Sequence, residues 1–360
     1  MNYQLLKNFF FVLILSTIVV SCKKKPVQPT EETTSPTTLS NGMLVLNEGL
    51  FQQNNASLSW IDLSTNSVNS SFFEQKTTRS LGDTGNDIKR YGNKIYVVVN
   101  VSSTIEVLNA TTGAFIQHID MKTESGDSKQ PRYIAFNGSK AYVSCYDGFV
   151  DVIDTATFAI QQRIPVGSNP EGLCVANNKL YVANSGGLNY PNVDSTLSVI
   201  SLSTYIELTK IVVGKNPGRV VADQNGEVYA ITRGNYSTIP QRMHRINSTT
   251  DQVEQTFPMD VGSIVAFGNK FILTTSDFSG SNTSIQLFNP QSELVENSNF
   301  IDVSSIETLY GIQYSSTTGK IYVMDARGFS ISGKVKEYST TGNFIREWAV
   351  GLNPTALLIF

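Results

Sequence analysis

Ile153-Asp154-Thr155-Ala156-Thr157 is one of seven copies of a short motif in which a β run ends in a polar turn. In each copy an apolar or aromatic residue precedes an Asp, Asn or Ser, and small polar residues follow. The Asp, Asn or Ser lies at Asp62, Asn109, Asp154, Ser201, Asn247, Asn289 and Ser339, at intervals of 42 to 50 residues. Because a short polar side chain can bond the backbone two residues further on, each copy predicts a tight hairpin turn. The chain is therefore an array of similar units.

Two further β runs precede the strand that carries each turn. The nearer run occupies residues 43–46, 95–98, 141–144, 180–183, 228–231, 271–274 and 321–324. In four units the earlier run begins at a proline: Pro131, Pro170, Pro217 and Pro354. With the strand after the turn, each unit has four strands, and no stretch has the 3.6-residue period of a helix. The sequence therefore predicts an all-β fold, a seven-bladed β-propeller with four antiparallel strands in each blade.

The two ends of the repeat array are complementary. The first unit begins with its second strand, at Met43, and the last unit is followed by a surplus first strand at residues 354–360. We expect residues 356–360 to pair beside residues 43–47, so that the C-terminal strand completes the N-terminal blade. This pairing would close the ring and hide two sheet edges.

The N-terminal region has a different composition. Residues 1–21 place Lys7 before an apolar run that ends at Ser21-Cys22, which is typical of an export signal and too short to span a bilayer comfortably. Residues 19–22 resemble a bacterial lipoprotein box, which implies a lipid on Cys22; the alternative is a plain signal peptide with an incidental cysteine. Residues 22–40 are rich in Pro, Thr, Ser and Glu and predict a disordered tether. The propeller is assigned to residues 41–360.

Composition excludes several classes of function. The formal net charge is −3 and there is no basic stripe, so a nucleic-acid partner is not expected. Cys145 and Cys174 lie in apolar strand patterns and predict two buried thiols rather than a disulfide. The two histidines, His118 and His244, also lie in β runs, which indicates ordinary strand residues rather than metal ligands or a nucleophile relay.

The repeat register predicts which residues surround the mouth of the central channel, where the first strands begin. They are Thr355, Asn86, Arg132, Glu171, Gly218, Gly262 and Tyr310. One carboxylate among seven residues is a poor metal cage, so neither a metal nor a cofactor is predicted. The same ring can hydrogen-bond a polar ligand, and Arg132 and Glu171 are its strongest candidates, with Asn86 and Tyr310 beside them.

Loops between the second and third strands are predicted to emerge on the same face as the mouth. Six of the seven carry an aromatic residue: Phe51, Tyr146, Tyr190, Tyr236, Phe278 and Phe329. Such rings suit a broad, partly planar ligand, although each could instead cap the core of its blade. Arg233 and Arg327 lie in equivalent loops and could meet a phosphate or a carboxamide. The longest of these loops, residues 185–195, indicates binding rather than stability.

The repeat resembles YVTN-type propellers at Val166-Gly167-Ser168-Asn169-Pro170, Leu180-Tyr181-Val182-Ala183-Asn184 and Val213-Gly214-Lys215-Asn216-Pro217. Residues 46–52 (Leu-Asn-Glu-Gly-Leu-Phe-Gln) and Pro131-Arg132-Tyr133-Ile134 resemble a narrower group of Bacteroidota surface lipoproteins that includes BtuG-type proteins. That resemblance implies a non-enzymatic outer-membrane lipoprotein that captures cobalamin (vitamin B12) and passes it to a TonB-dependent transporter.

Three functions stay open at this point. The first is cobalamin capture by a protein that is lipid-anchored on the cell surface or on the periplasmic face of the outer membrane. The second is a glycan-binding or adhesive surface protein that uses the same aromatic residues on sugar faces. The third, from another class, is a propeller lactonase or lyase, which would need clustered acids in the channel.

Overall fold

The computed structural model describes residues 35–275 and 282–360, and its strands form seven four-stranded antiparallel sheets. Blade 1 contains β1 (Gly42–Asn47), β2 (Ser57–Asp62) and β3 (Val68–Asn69), and blade 2 contains β4 (Gly85–Tyr91), β5 (Lys94–Val99), β6 (Thr104–Asn109) and β7 (Phe115–Asp120). Blade 3 contains β8 (Pro131–Asn137), β9 (Lys140–Cys145), β10 (Phe149–Asp154) and β11 (Ile160–Pro165), and blade 4 contains β12 (Pro170–Ala176), β13 (Lys179–Asn184), β14 (Thr196–Ser201) and β15 (Glu207–Val212).

The remaining blades repeat this arrangement. Blade 5 contains β16 (Pro217–Ala222), β17 (Val228–Thr232), β18 (Arg242–Asn247) and β19 (Gln252–Phe257), and blade 6 contains β20 (Ser263–Phe267), β21 (Lys270–Thr275), β22 (Ser284–Asn289) and β23 (Leu294–Ile301). Blade 7 contains β24 (Leu309–Ser315), β25 (Lys320–Asp325), β26 (Ser332–Ser339) and β27 (Phe344–Leu352), and the last strand is β28 (Pro354–Ile359). Helix α1 (Phe72–Thr77) and two 3₁₀ turns, Gly187–Asn189 and Arg327–Phe329, lie between strands.

The first strands of the blades form a closed inner ring. Each contacts the first strand of the next blade, in the order β4, β8, β12, β16, β20, β24 and β28, and β28 contacts β4 again. A central channel therefore runs between seven strands, and the predicted seven-bladed propeller is confirmed.

The last strand closes this ring as the sequence predicts. β28 pairs antiparallel with β1, with Leu358 opposite Leu44 and Ala356 opposite Leu46, and β1 pairs on its other side with β2. Blade 1 is thus built from both ends of the described chain. Leu44 and Leu357 are buried, so the closure rests on apolar packing as well as on backbone hydrogen bonds.

All seven predicted turns form with the expected local hydrogen bond. In each, the side-chain oxygen of the Asp, Asn or Ser accepts the backbone N–H of the residue two positions further on, at 2.7 to 3.3 Å. These bonds satisfy backbone donors at the hairpin ends, which explains why only short polar residues occupy these positions.

The second strands carry much of the core because they lie between neighbouring blades. Five of them place a tyrosine there, with no more than 1% of the residue exposed: Tyr96, Tyr142, Tyr181, Tyr229 and Tyr322. Tyr181 packs against Val220, Val228 and Ala230 of the next blade. Its hydroxyl donates to Asp251 Oδ1 at 2.6 Å, in the turn after β18. A buried ring with a satisfied polar tip thus joins two blades.

Most of the first strands contain a β-bulge near the mouth of the channel. The pairing register shifts near the start of β4, β8, β12, β16 and β24, and at the corresponding place in β28. A bulge re-aims side chains, and here consecutive residues reach the channel wall: Asn86 with Asp87, and Thr355 with Ala356. In these two strands the bulge therefore brings two successive residues to the channel wall.

Several smaller predictions can also be compared with the structure. His118 lies on β7 and His244 on β18, as predicted. Cys145 is a buried free thiol, but Cys174 is also free and only partly buried, because its position on β12 faces the channel wall. The prediction of two free thiols rather than a disulfide is confirmed, but the prediction that both are buried is wrong for Cys174.

The described chain begins before the first strand. Leu39 is buried among core residues of blades 1 and 2, and its N–H donates to Thr111 O at 2.6 Å. The predicted signal segment, residues 1–21, and Cys22 lie outside the described residues. Within the described part, no helix has both the length and the apolar character required to cross a membrane.

Candidate functional site

Four of the predicted site residues meet at the mouth of the channel around one carboxylate. Glu171 accepts a hydrogen bond from Arg132 Nε at 3.1 Å on Oε2, and from Tyr146 Oη at 2.5 Å and Arg233 Nη1 at 3.3 Å on Oε1. Arg132 also lies over the Tyr146 ring, 4.6 Å from its centroid. We call Arg132, Tyr146, Glu171 and Arg233 the mouth cluster. Its residues come from blades 3, 4 and 5.

The antiparallel repeat brings these residues together. Arg132 and Glu171 are the second residues of β8 and β12, whereas Tyr146 and Arg233 directly follow β9 and β17. The first strand of each blade starts on the face where the second strand ends, so these two kinds of position adjoin. Gly218 is the mouth residue of blade 5, and the guanidinium of Arg233 occupies the space that a side chain there would fill.

The electrostatics of the mouth cluster fix its charge states. Glu171 is only 2% exposed, and burial alone would raise its pKa, but Arg132 and Arg233 outweigh burial and hold the pKa below its usual value. Burial and the neighbouring Glu171 carboxylate raise the pKa of Tyr146. Glu171 is therefore ionised and accepts hydrogen bonds, while Tyr146 stays protonated and donates one.

A second pair at the mouth contains a residue that the sequence analysis missed. The Tyr310 hydroxyl donates to Glu48, and the Tyr310 ring packs edge-on against Phe329 with centroids 5.3 Å apart. Burial raises the pKa of Glu48, against the opposing effects of Tyr310 and Arg132. Glu48 directly follows β1, just as Tyr146 and Arg233 follow their second strands. The position in the repeat could therefore have identified it.

Asn86 lies at the mouth as predicted, but its amide acts on the backbone. Its Nδ2 donates to Arg132 O at 2.5 Å, which ties the first strand of blade 2 to that of blade 3. This bond positions Arg132 beside Glu171. The residues that follow Arg132 and Gly218, namely Tyr133 and Arg219, also face the channel and were not predicted.

Tyr190 and Tyr236 form a separate aromatic pair. Their ring centroids are 6.4 Å apart, and Asn216 Nδ2 donates to Tyr236 Oη at 2.8 Å. The two residues remain 57% and 45% exposed. They lie in the loops that follow β13 and β17, on the same face as the mouth cluster. Rings that remain this exposed do not cap a blade core, which favours the binding interpretation for this pair.

Two other predicted residues do not join the mouth cluster. Phe51 is 68% exposed in the loop after β1. Arg327 donates to Ser332 O at 3.2 Å and lies 3.9 Å from Glu307, so its guanidinium is directed along its own blade. Phe278 lies outside the described residues.

The described residues, 35–275 and 282–360, contain no group of three or more His, Cys, Asp or Glu side chains arranged to hold a metal ion. What the mouth offers instead is a carboxylate held by two arginines, a second, partly buried carboxyl at Glu48, and exposed rings on the surrounding loops. Such a surface can hydrogen-bond a polar ligand and pack against its planar face.

The fold defines this protein as a seven-bladed β-propeller with a polar, aromatic-rimmed channel mouth. The chain belongs to the family described as "Domain of unknown function (DUF5074)", whose model matches residues 41–350. No curated protein matches the sequence.

Solved structures with a similar fold include proteins with different roles. A quinonprotein alcohol dehydrogenase-like protein from Bacteroides thetaiotaomicron has a TM-score of 0.67 at 14% identity, covering 89% of this chain and 79% of that one. Kuenenia stuttgartiensis hydrazine synthase has a TM-score of 0.60 at 15% identity, with coverage of 73% and 85%. The dihydro-heme d1 dehydrogenase NirN has a TM-score of 0.58 at 11% identity, with coverage of 91% and 77%. At these identities the likeness concerns the fold alone.

Proposed function

We propose that this propeller captures a small polar ligand at the channel mouth and does not transform it. The observation that carries the proposal is the mouth cluster, in which a buried carboxylate is held by three donors from neighbouring blades. A rigid polar centre surrounded by exposed rings fixes the orientation of a ligand and provides apolar contact area.

The charge states of the cluster support binding rather than proton transfer. A general acid or base works best with a pKa near the working pH, whereas the pKa of Glu171 is lowered and that of Tyr146 is raised. At neutral pH Glu171 is therefore ionised and Tyr146 is protonated. They recognise hydrogen-bonding groups on a ligand without exchanging protons with it.

Cobalamin is the first ligand to test. The resemblance of residues 46–52 and 131–134 to BtuG-type lipoproteins supports this choice, and those segments contain Glu48 and Arg132 of the mouth. A corrin ring is broad and partly planar and carries amide groups at its edge. Tyr190 and Tyr236 can pack against such a ring while the mouth cluster bonds its amides.

The test is calorimetric titration of the purified protein with cyanocobalamin. Wild type is expected to bind, and the Tyr190→Ala/Tyr236→Ala double variant to bind at least tenfold more weakly. Phe344→Ala is the matched control, because Phe344 is also exposed but lies at the start of β27, on the opposite face. No heat with wild type at micromolar protein would exclude cobalamin, and binding of oligosaccharides instead would favour the glycan-binding alternative.

One observation favours a catalytic alternative, a lactonase or lyase. The partly buried Glu48 lies at the mouth and has a raised pKa, which is a frequent property of general acids and bases. Turnover of a lactone panel that is lost in Glu48→Gln and retained in Glu207→Gln would support this alternative. Glu207 lies on β15 and pairs with Lys210 on the same strand, so the control removes a carboxylate away from the mouth.

We further propose that Cys22 carries the lipid anchor, that the protein resides at the outer membrane, and that a TonB-dependent transporter receives its ligand. The lipoprotein box at residues 19–22 supports the anchor. Incorporation of labelled palmitate into wild type, and its loss in Cys22→Ala, tests this point. Protease treatment of intact cells distinguishes the cell surface from the periplasmic face, and co-purification from solubilised membranes tests the transporter.

A further inference from the structure

The central channel contains open space that reaches the mouth residues Asn86 and Thr355. Two adjoining cavities of about 240 and 230 Å³ share the lining residues Asp87, Lys89, Tyr133, Arg219 and Val221. Small residues of other blades complete the lining: Gly172, Gly311 and Ala356. Each cavity is far larger than the ~10–15 Å³ that one water molecule needs, so the channel has room for a small solute.

Hydrogen-bond donors predominate among the polar side chains of these cavities. Arg219 has no ion-pair partner within residues 35–275 and 282–360, and its guanidinium contacts the ring of Tyr133, 5.7 Å from the centroid. In the same part of the chain, the Tyr133 hydroxyl and the Gln313 amide make no side-chain hydrogen bond to protein. These three donor groups therefore line the cavities without an acceptor from the described part of the protein.

The carboxylate of Asp87 is not the acceptor for these donors. It accepts the backbone N–H groups of Ile88 and Ile134, at 3.0 and 3.2 Å, and lies 3.2 Å from Lys89 Nζ. Its charge is therefore balanced by Lys89 and by backbone donors. The channel retains an uncompensated positive charge on Arg219, which lies on β16 of blade 5.

We propose that this channel binds a small oxyanion, a carboxylate or phosphate group, on Arg219, with Tyr133 and Lys89 as further donors. The planar guanidinium presents parallel N–H groups whose spacing matches two oxygens of such an anion. The Tyr133 ring beneath the guanidinium limits its motion. The site adjoins the mouth cluster, because Arg132 also lies over the Tyr133 ring, 5.9 Å from its centroid, but it does not depend on the ligand proposed there.

Calorimetric titration of the purified protein with inorganic phosphate tests the proposal, and acetate in the same protocol tells a phosphate site from a carboxylate site. Wild type is expected to bind one or both anions, and Arg219→Gln to weaken the tighter one at least tenfold. Lys89→Gln is expected to give a smaller, severalfold loss. Melting temperatures equal to that of wild type establish that each variant is folded.

Arg90→Gln is the matched control. It removes the same charge from the same strand as Lys89, and both side chains are exposed, but Arg90 packs over Phe360 and lines neither cavity. Phosphate affinity within twofold of wild type is expected. An equal loss in Arg90→Gln and Arg219→Gln would mean that only the net charge matters, and absence of both phosphate and acetate binding to wild type at millimolar anion would also overturn the proposal.

The Tyr190→Ala/Tyr236→Ala double variant separates the channel from the mouth. It alters the rings around the mouth and is expected to leave anion affinity within twofold of wild type. If this double variant weakens the anion as much as Arg219→Gln does, the anion binds at the mouth and the channel site is wrong. Retained anion binding without any mouth ligand would leave the channel site standing while the proposed function failed.

Discussion

Gly218 lies directly beneath the guanidinium of Arg233: a methyl group added to Gly218 would come within 2.5 Å of Arg233 Cζ. Heavy atoms do not approach this closely without displacement. The two residues belong to neighbouring strands of blade 5, where Pro217 pairs with Thr232. The missing side chain at position 218 therefore creates the path by which Arg233 reaches Glu171, at 3.3 Å.

Gly218→Ala is expected to displace Arg233 from Glu171 without unfolding the ring. The guanidinium can turn into solvent, and the bond that it loses is partly exposed, so the free energy of unfolding should fall by only about 1 kcal/mol. Arg233→Gln should cost a similar amount, and the double variant should cost no more than either single one, because both remove the same contact. Urea denaturation of the four proteins measures this cycle, and additive losses would contradict it.

Glu171→Gln is expected to be far more damaging than a carboxylate substitution at the surface. It leaves Arg132 and Arg233 beside a neutral, buried amide, and uncompensated buried charge costs about 3–5 kcal/mol when a pair is broken. Because both arginines keep some contact with solvent, we expect about 2–3 kcal/mol. Glu207→Gln, at an exposed pair with Lys210, should change the stability by less than about 0.5 kcal/mol. Urea denaturation measures both losses in the free energy of unfolding. Equal losses in the two variants would show that the ion pairs of the mouth cluster add no stability to the fold.

The closing strand provides a third prediction. Leu357 is 1% exposed and packs with Met43, Val45 and Met324, so Leu357→Ala should lower the free energy of unfolding by about 2–5 kcal/mol. Leu358→Ala, one residue further on and only partly buried, should cost less than half as much. Thermal and urea unfolding check the ranking. A similar effect of both variants would indicate that β28 adds little to the packing of the closed ring.

The fold could be predicted from the sequence because its determinants are local and repeated. Asp154 closes its turn through bonds to the backbone of residues 156 and 157, and a motif of five residues contains everything this requires. The surplus strand at residues 354–360 predicted the pairing with β1 because a first strand without a blade and a blade without a first strand complete each other.

The site could be predicted only as a set of positions. The register placed Arg132 and Glu171 at the mouth, but it could not show that Arg233 crosses over Gly218 while Arg327 turns towards Glu307. Those outcomes depend on the space left by neighbouring side chains and on rotamers, which no repeat encodes. Glu48 is predictable from its position, because it directly follows the second strand of its blade as Tyr146 and Arg233 do.

The last prediction concerns His244, a buried histidine in the third strand of blade 5. Its ring lies between the hydroxyls of Thr232 and Thr256, at 3.2 and 3.0 Å. Burial and the nearby Arg242 lower its pKa to about 4. In the unfolded chain the pKa of a histidine returns to about 6.5. Above pH 7 both states are neutral and this residue gives no pH dependence.

Between pH 6.5 and 4 the unfolded state takes up a proton that the folded state does not, so acid favours unfolding. The stability should then fall by up to about 1.4 kcal/mol per pH unit from this residue, and the loss is complete once the folded protein is also protonated. His244→Gln removes the titration, and Gln286, partly buried, occupies the same register position in blade 6, so a glutamine fits this position of a third strand. The free-energy difference between wild type and His244→Gln, from urea denaturation at pH 7.5, 6 and 5, should stay constant above pH 7. At lower pH it should move steadily in favour of the variant, whereas parallel curves would show that His244 is protonated without penalty in the folded blade.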